Sequence, residues 1–200
     1  LFLYVLGGAL VGLGSMSYFF AQILEHHAED NIQHTLNTQV ELLESQLGRI
    51  EESTTALAAA VMIMHQIGIK EAENYKKLAF QFFQIRPPLV MGNGFGQRPF
   101  QIIPSREWYW PYFYVDPGVP NALGERLPAP NDQIRYTDLF REDNYPQQSY
   151  YTEPVTVSRM LWTEPYDWYD ITMTSCLKPF FDDNTGVMLG VAGSDVNVTD

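Results

Sequence analysis

The chain has a single cysteine, no Lys or Arg before Arg49 and no histidine after His65. One thiol, Cys176, rules out an intrachain disulfide, and its place in an alternating apolar run predicts a small buried hydrophobe. The catalytic patterns built on Ser, His and Cys are missing as well: there is no GxSxG elbow, no HExxH helix, no CxxC pair and no Ser/His/Asp order. With every histidine at or before residue 65, a hydrolase would have to work by carboxylates alone, such as Glu164 with Asp167 or Asp170. The expectation is therefore a chain that is not an enzyme and holds no cofactor. Positive charge is scarce. Twelve Lys and Arg against 24 Asp and Glu leave a net charge of −12, which argues against a nucleic-acid partner and against anionic surfaces.

A different absence marks the N-terminus, where residues 1–24 carry no charged side chain. An apolar run of about 20 residues at 1.5 Å each crosses the roughly 30 Å hydrocarbon layer, so a transmembrane helix over 1–24 is expected. A signal peptide would have an apolar core of about 7 to 15 residues and then a small-residue cleavage site. Here the run is longer and passes unbroken into a helical pattern. The flank beyond it carries Glu25, Glu29, Asp30, Glu41 and Glu44 before its first basic residue, which fits the non-cytoplasmic side of a plasma membrane. Gly8 and Gly12 have the small-xxx-small spacing that lets two membrane helices approach closely.

What is present is apolar and aromatic: 46% of residues are hydrophobic and 14% are Phe, Trp or Tyr, enough for a folded domain in the remaining length. Leu36, Val40, Leu43, Leu47, Ile50, Leu57, Val61 and Met64 fall in heptad alternation, with Thr54 in the one polar slot. This predicts a long stalk helix over 25–68, whose seam meets either a second copy or the sheet of its own domain. A second helix is expected from Lys70 to Gln84, stopped by Arg86-Pro87-Pro88. Strands are expected at Leu89–Gln97, Trp108–Val115, Leu161–Trp168, Ile171–Phe181 and Val187–Val198, the last two joined by the Asp182-Asp183-Asn184-Thr185-Gly186 turn. Between them, 116–132 reads as a long loop, Tyr136–Asn144 as a short helix and 145–154 as irregular. The fold class is α+β, with a sensor-sized module over 69–200. Gly92, Gly94 and Gly96 are not a phosphate-binding fingerprint, because more strand follows them rather than a helix. His27, Asp30 and His34 share one helical face, but no fourth ligand is in sight and no metal is expected.

The order of apolar anchor, long helix, second helix and antiparallel strands ending in Gly190-Val191-Ala192-Gly193-Ser194-Asp195-Val196 resembles the Cache family of extracytoplasmic sensor domains. Trp162-Thr163-Glu164-Pro165-Tyr166-Asp167 is similar to that family's WxEPYxD strand, and Pro111-Tyr112-Phe113-Tyr114 to a strand of some bacterial Cache receptors. The resemblance implies a PAS-like antiparallel sheet flanked by helices, which binds a small molecule and signals through the long helix of a membrane-anchored homodimer. It also implies a second module and a cytoplasmic output domain beyond residue 200, among them chemotaxis transducers and histidine kinases.

Amino-acid-binding members carry a Tyr, an Arg five residues on, an aromatic pair, a Tyr-x-Asp and a closing Asp. On that pattern Tyr136, Arg141, Tyr145, Trp162, Tyr166, Asp167, Asp170 and Asp195 are the expected ligand-binding residues, although Asp143-Asn144-Tyr145 stands where the aromatic pair belongs. Chemically, an Arg fork suits a carboxylate and an Asp facing it suits an ammonium, so Arg141 and Asp195 are the candidate poles for an amino acid, amine or carboxylate. The alternative is a protein-binding or structural module with no small-molecule ligand.

Overall fold

A computed structural model describes residues 2–198, with side chains from residue 30 onward. The apolar run 1–24, the Gly8/Gly12 face and His27 lie outside the residues whose side chains are described. Among the described residues no helix is long and apolar enough to cross a membrane, and no group of three His, Cys, Asp or Glu is placed to hold a metal ion. The chain divides into two compact units, 1–45 and 46–200.

The first helix, α1, runs Phe2–Gln66 and ends at Gly68, whose φ of +82° lies in the left-handed region that favours glycine. In the first unit its seam residues Leu36, Val40 and Leu43 are exposed. In the second unit the same seam is covered: Ile50, Thr54, Leu57 and Val61 are fully buried. Their partners are sheet residues, with Leu57 and Val61 in one cluster with Phe95, Leu189 and Ala192, and Ile50 in another with Val90, Cys176 and Val196. From Ile50 on, the heptad pattern therefore records burial against the chain's own sheet. Helix α2, Ala72–Gln84, follows and buries Tyr75, Ala79 and Phe83 on one face.

The sheet is antiparallel. Its strands are β1 Val90–Gln97, β2 Pro111–Val115, β3 Glu125–Arg126, β4 Ile134–Asp138, β5 Leu161–Trp162, β6 Tyr166–Trp168, β7 Ile171–Phe181 and β8 Met188–Asn197, in the order β3-β4-β2-β1-β8-β7-β5 with β6 also on β7. The β7–β8 hairpin closes where expected. Asp182 accepts hydrogen bonds from the backbone N–H groups of Asn184 and Thr185, and Gly186 takes φ +69°.

Three expectations are corrected. The helix over Tyr136–Asn144 begins only at Leu139: Ile134–Asp138 is strand β4, paired with β2, and α3 occupies Leu139–Asp143 with the Asp138 carboxylate as its N-cap on the Phe140 N–H. Residues 145–154 are not irregular. A 3-10 turn at Tyr145–Gln147 leads into α4, Ser149–Val157, which contains Pro154 and buries Tyr150, Tyr151 and Pro154. The strand over Leu161–Trp168 breaks into β5 and β6, with Pro165 in the gap. Within the expected loop 116–132, the two-residue β3 pairs with β4.

The two faces of the sheet have opposite roles. One carries Phe95, Phe113, Ala192, Ser194 and Cys176 toward the helices α1 and α2. The other carries Trp110, Tyr112, Tyr114, Met173, Leu177 and Asp195, and is covered by α3, α4 and the turn between them.

Candidate functional site

The covered face owes its shape to an alternation on two neighbouring strands. Trp110, Tyr112 and Tyr114 project from β2 and the residue before it, and opposite them β1 places Gly92, Gly94 and Gly96. A Cβ at Gly92 would lie 2.0 Å from the Tyr112 hydroxyl oxygen, and one at Gly96 would lie 2.2 Å from Trp110 Cε3. The glycines are a lane in which large rings lie against the backbone.

Across that lane Trp110, Tyr112, Tyr150, Tyr166 and Trp168 form an aromatic box with Leu139, Met173 and Leu177, and the carboxylate of Asp195 is its floor. Tyr112 donates to one oxygen of Asp195 at 2.5 Å and Ser175 to the other at 2.5 Å. Tyr166 and Ser175 are 2.8 Å apart; with the Ser175 proton committed to the carboxylate, Tyr166 is the donor. Asp195 is 8% exposed, and burial raises its carboxyl from the ordinary value to about 6, against the opposing pull of the Ser175 and Tyr112 hydrogen bonds. Burial likewise pushes the Tyr112, Tyr150 and Tyr166 hydroxyls up, so all three stay protonated donors at neutral pH. The free space inside is about 10 Å³, room for one water molecule.

A second carboxylate braces the same rings. Asp143, at the end of α3, accepts from the Tyr150 hydroxyl, from Trp168 Nε1 at 3.2 Å and from the Tyr169 hydroxyl at 3.1 Å. Among the described residues no Lys, Arg or His pairs with Asp143 or Asp195. The Trp110 indole N–H, also buried, has no acceptor.

Of the eight residues expected from sequence, the structure brings two together here, Tyr166 and Asp195. Arg141 lines a different cavity, a surface groove of about 300 Å³ with Arg106, Gly124, Tyr136 and Asp138. Its side chain is 72% exposed and its Nε lies 3.7 Å from the Asp138 carboxylate, which also takes Arg106 at 3.3 Å. Tyr136 faces α2, with its ring 5.0 Å from that of Phe113 and under the Lys76 ammonium at 3.6 Å. Tyr145 is fully buried behind Trp110, and its hydroxyl donates to the Gln97 carbonyl at 2.6 Å. Trp162 reaches α1, donating to Glu51 at 2.8 Å. Asp167 accepts from Thr172 on the surface, and Asp170 sits with Tyr169 at positive φ in the two-residue turn between β6 and β7. Sequence reasoning missed Tyr112, Ser175, Tyr150, Trp168 and Asp143. For Ser175 a signal exists: it is the register partner of Asp195 across the β7–β8 hairpin.

The family model for the methyl-accepting chemotaxis protein-like, first PDC sensor domain matches residues 86–200. The chain belongs to this family. It is thus a Cache/PDC sensor domain, as the closing GxD run and the EPY strand suggest. Among solved structures, the extracellular domain of mmHK1S-Z2, described as a histidine kinase, is 20% identical with a TM-score of 0.61, over 78% of this chain and 55% of that one. Methyl-accepting chemotaxis protein X is 20% identical with a TM-score of 0.50, over 80% and 64%. A second kinase extracellular domain, mmHK1S-Z3, is 15% identical with a TM-score of 0.50, over 78% and 54%. These likenesses establish the fold, and the chain spans less than two thirds of each of those domains. No curated protein matches the chain.

Proposed function

We propose that the PDC sensor domain is the extracytoplasmic part of a membrane receptor and that it detects a small molecule bearing a cationic nitrogen, held in the aromatic box against Asp195. One observation carries this reading. A buried carboxylate that pairs with no Lys, Arg or His among the described residues sits at the floor of a cavity walled by aromatic faces. An ammonium group arriving there supplies the missing ion pair and meets the negative faces of the rings. Of the classes left open by the sequence, amine and amino acid satisfy this floor and a simple carboxylate does not. Tyr166 and Asp195 are the proposed contacts retained from the sequence, joined by Tyr112, Tyr150 and Trp168.

Because the closed box has room for only a water, binding selects a state in which the rings have moved apart. The proposed relay runs through β8, where Asp195 faces the box and Ser194, the preceding residue, is hydrogen-bonded to Thr54 of α1. From there it follows α1 toward the proposed transmembrane helix at 1–24. The exposed Leu36, Val40 and Leu43 are the proposed contact with the α1 of a second copy. Residues 25–68 are then the signalling helix and 69–200 the sensor module.

A thermal-shift screen with amines, amino acids, carboxylates, purines and sugars tests the reading. Stabilisation by cationic compounds is expected, about 2.7 kcal/mol at a hundredfold excess over Kd. Hits confined to neutral or anionic compounds reject the role given to Asp195, and a blank in every class moves the function to protein binding.

A further inference from the structure

The box is braced at two points by carboxylates, and among the described residues neither pairs with a Lys, Arg or His. Asp195 holds the tip of Tyr112, while Asp143 holds the tips of Tyr150 and Trp168. All three rings line the one cavity, and Tyr150 stacks on Tyr166 at 6.1 Å, which in turn reaches Asp195 through Ser175. The rings that must part to admit a ligand are therefore the rings that link the two acids. When Tyr150 and Trp168 move, acceptor sites on Asp143 are released at the edge of the opened box.

We infer that the ligand carries two cationic groups, one set on Asp195 and the other on Asp143, with an apolar spacer lying between the aromatic walls. This deepens the reading of the box as the ligand site and rests on it. Among the described residues the side chains that donate to the half-buried Asp143 are all neutral: Tyr150, Trp168, Tyr169 and the Gln148 amide, which also donates to the Asp143 carbonyl at 2.7 Å. Those bonds are charge-assisted on the acceptor side only, and an ammonium would add the opposite charge on the donor side. The cation nearest in sequence, Arg141, is directed to Asp138 instead. A ligand carboxylate entering the box would thus meet two acids and no base, which sets the site against ω-amino acids and α-amino acids and in favour of diamines.

The test is calorimetric titration of the full chain with a chain-length series of α,ω-diaminoalkanes, the matching monoalkylamines and the matching ω-amino acids. The diamine of best length is expected to bind at least about tenfold tighter than its monoamine, and the ω-amino acid more weakly than either. Asp143→Asn is expected to remove the diamine advantage, the diamine then binding no tighter than the matching monoamine in that variant. The wild-type series needs no variant, so a folding defect in Asp143→Asn does not obscure the result. Monoamine and diamine binding alike would overturn the second pole while leaving Asp195 in its role. Failure of every amine to bind would overturn both.

Discussion

The hydroxyl of Thr54, midway along the buried seam of α1, lies 2.7 Å from the hydroxyl of Ser194, and the next residue on that strand is the floor of the aromatic box. Successive residues of a strand point to opposite faces. On the proposed relay, a shift of β8 that follows a change at Asp195 would reach α1 through this side-chain hydrogen bond. Cys176 and Asn93 flank Ser194 in register on the same face, so a polar row crosses three strands beneath the helix. The Cys176 thiol is pushed up to about 12, chiefly by burial, and stays a neutral part of that row.

Thr54→Val keeps the shape and removes the hydroxyl, leaving Ser194 without its partner; it is expected to cost about 1–3 kcal/mol of stability. Adding Ser194→Ala removes the stranded group and should recover part of that loss. Hydrogen exchange on ligand addition is the measurement of coupling. Ligand-dependent changes in the 50–61 stretch of α1 are expected in the wild type and reduced in the double variant, with ligand affinity retained.

Asp195 titrates near 6 in the folded chain, above its ordinary 3.8. The folded state thus holds a proton that the unfolded chain has released, and stability falls as pH rises from about 4 through about 6. Binding of a cation goes the other way, since it needs the ionised acid. Affinity for an amine should be flat above pH 7 and weaken by roughly tenfold per pH unit below 6, with Asp195→Asn showing neither dependence.

Gly92→Ala places a Cβ 2.0 Å from the Tyr112 hydroxyl oxygen, the atom that donates to Asp195. Overpacking of this kind costs typically about 1–3 kcal/mol. Chemical denaturation should show that loss, and titration should show weaker ligand binding, because the displaced ring is a wall of the proposed site.

Arg141→Ala separates the two cavities. Its side chain is exposed and its contact with Asp138 is long and shared with Arg106, so stability should change by no more than about 0.5 kcal/mol. Amine affinity should be unchanged. A large loss of affinity would bring Arg141 into the box in the bound state, against its present orientation.

The helices and the closing hairpin were legible because their signals are periodic and local: the seam around Thr54, the stop at Arg86-Pro87-Pro88 and the Asp182–Gly186 turn. The segment Tyr136–Asn144 misled because Asp138 is both the last residue of β4 and the cap of α3, and only pairing with β2 separates the two elements. The box itself is assembled from β2, α3, α4, β6, β7 and β8, so no window of sequence contains it. Gly92, Gly94 and Gly96 are visible as a repeat, yet their meaning depends on Trp110 and Tyr112 lying opposite. Arg141 shows the converse: its spacing from Tyr136 is visible, whereas the direction of its side chain is set by where α3 begins.

Titration of the wild-type chain and of Asp195→Asn with an alkylamine tests the central claim most directly. The account predicts binding to the wild type and a loss of at least about a hundredfold in the variant, since truncating one side of a buried charge pair costs about 2–5 kcal/mol. Equal affinity in the two proteins would contradict it.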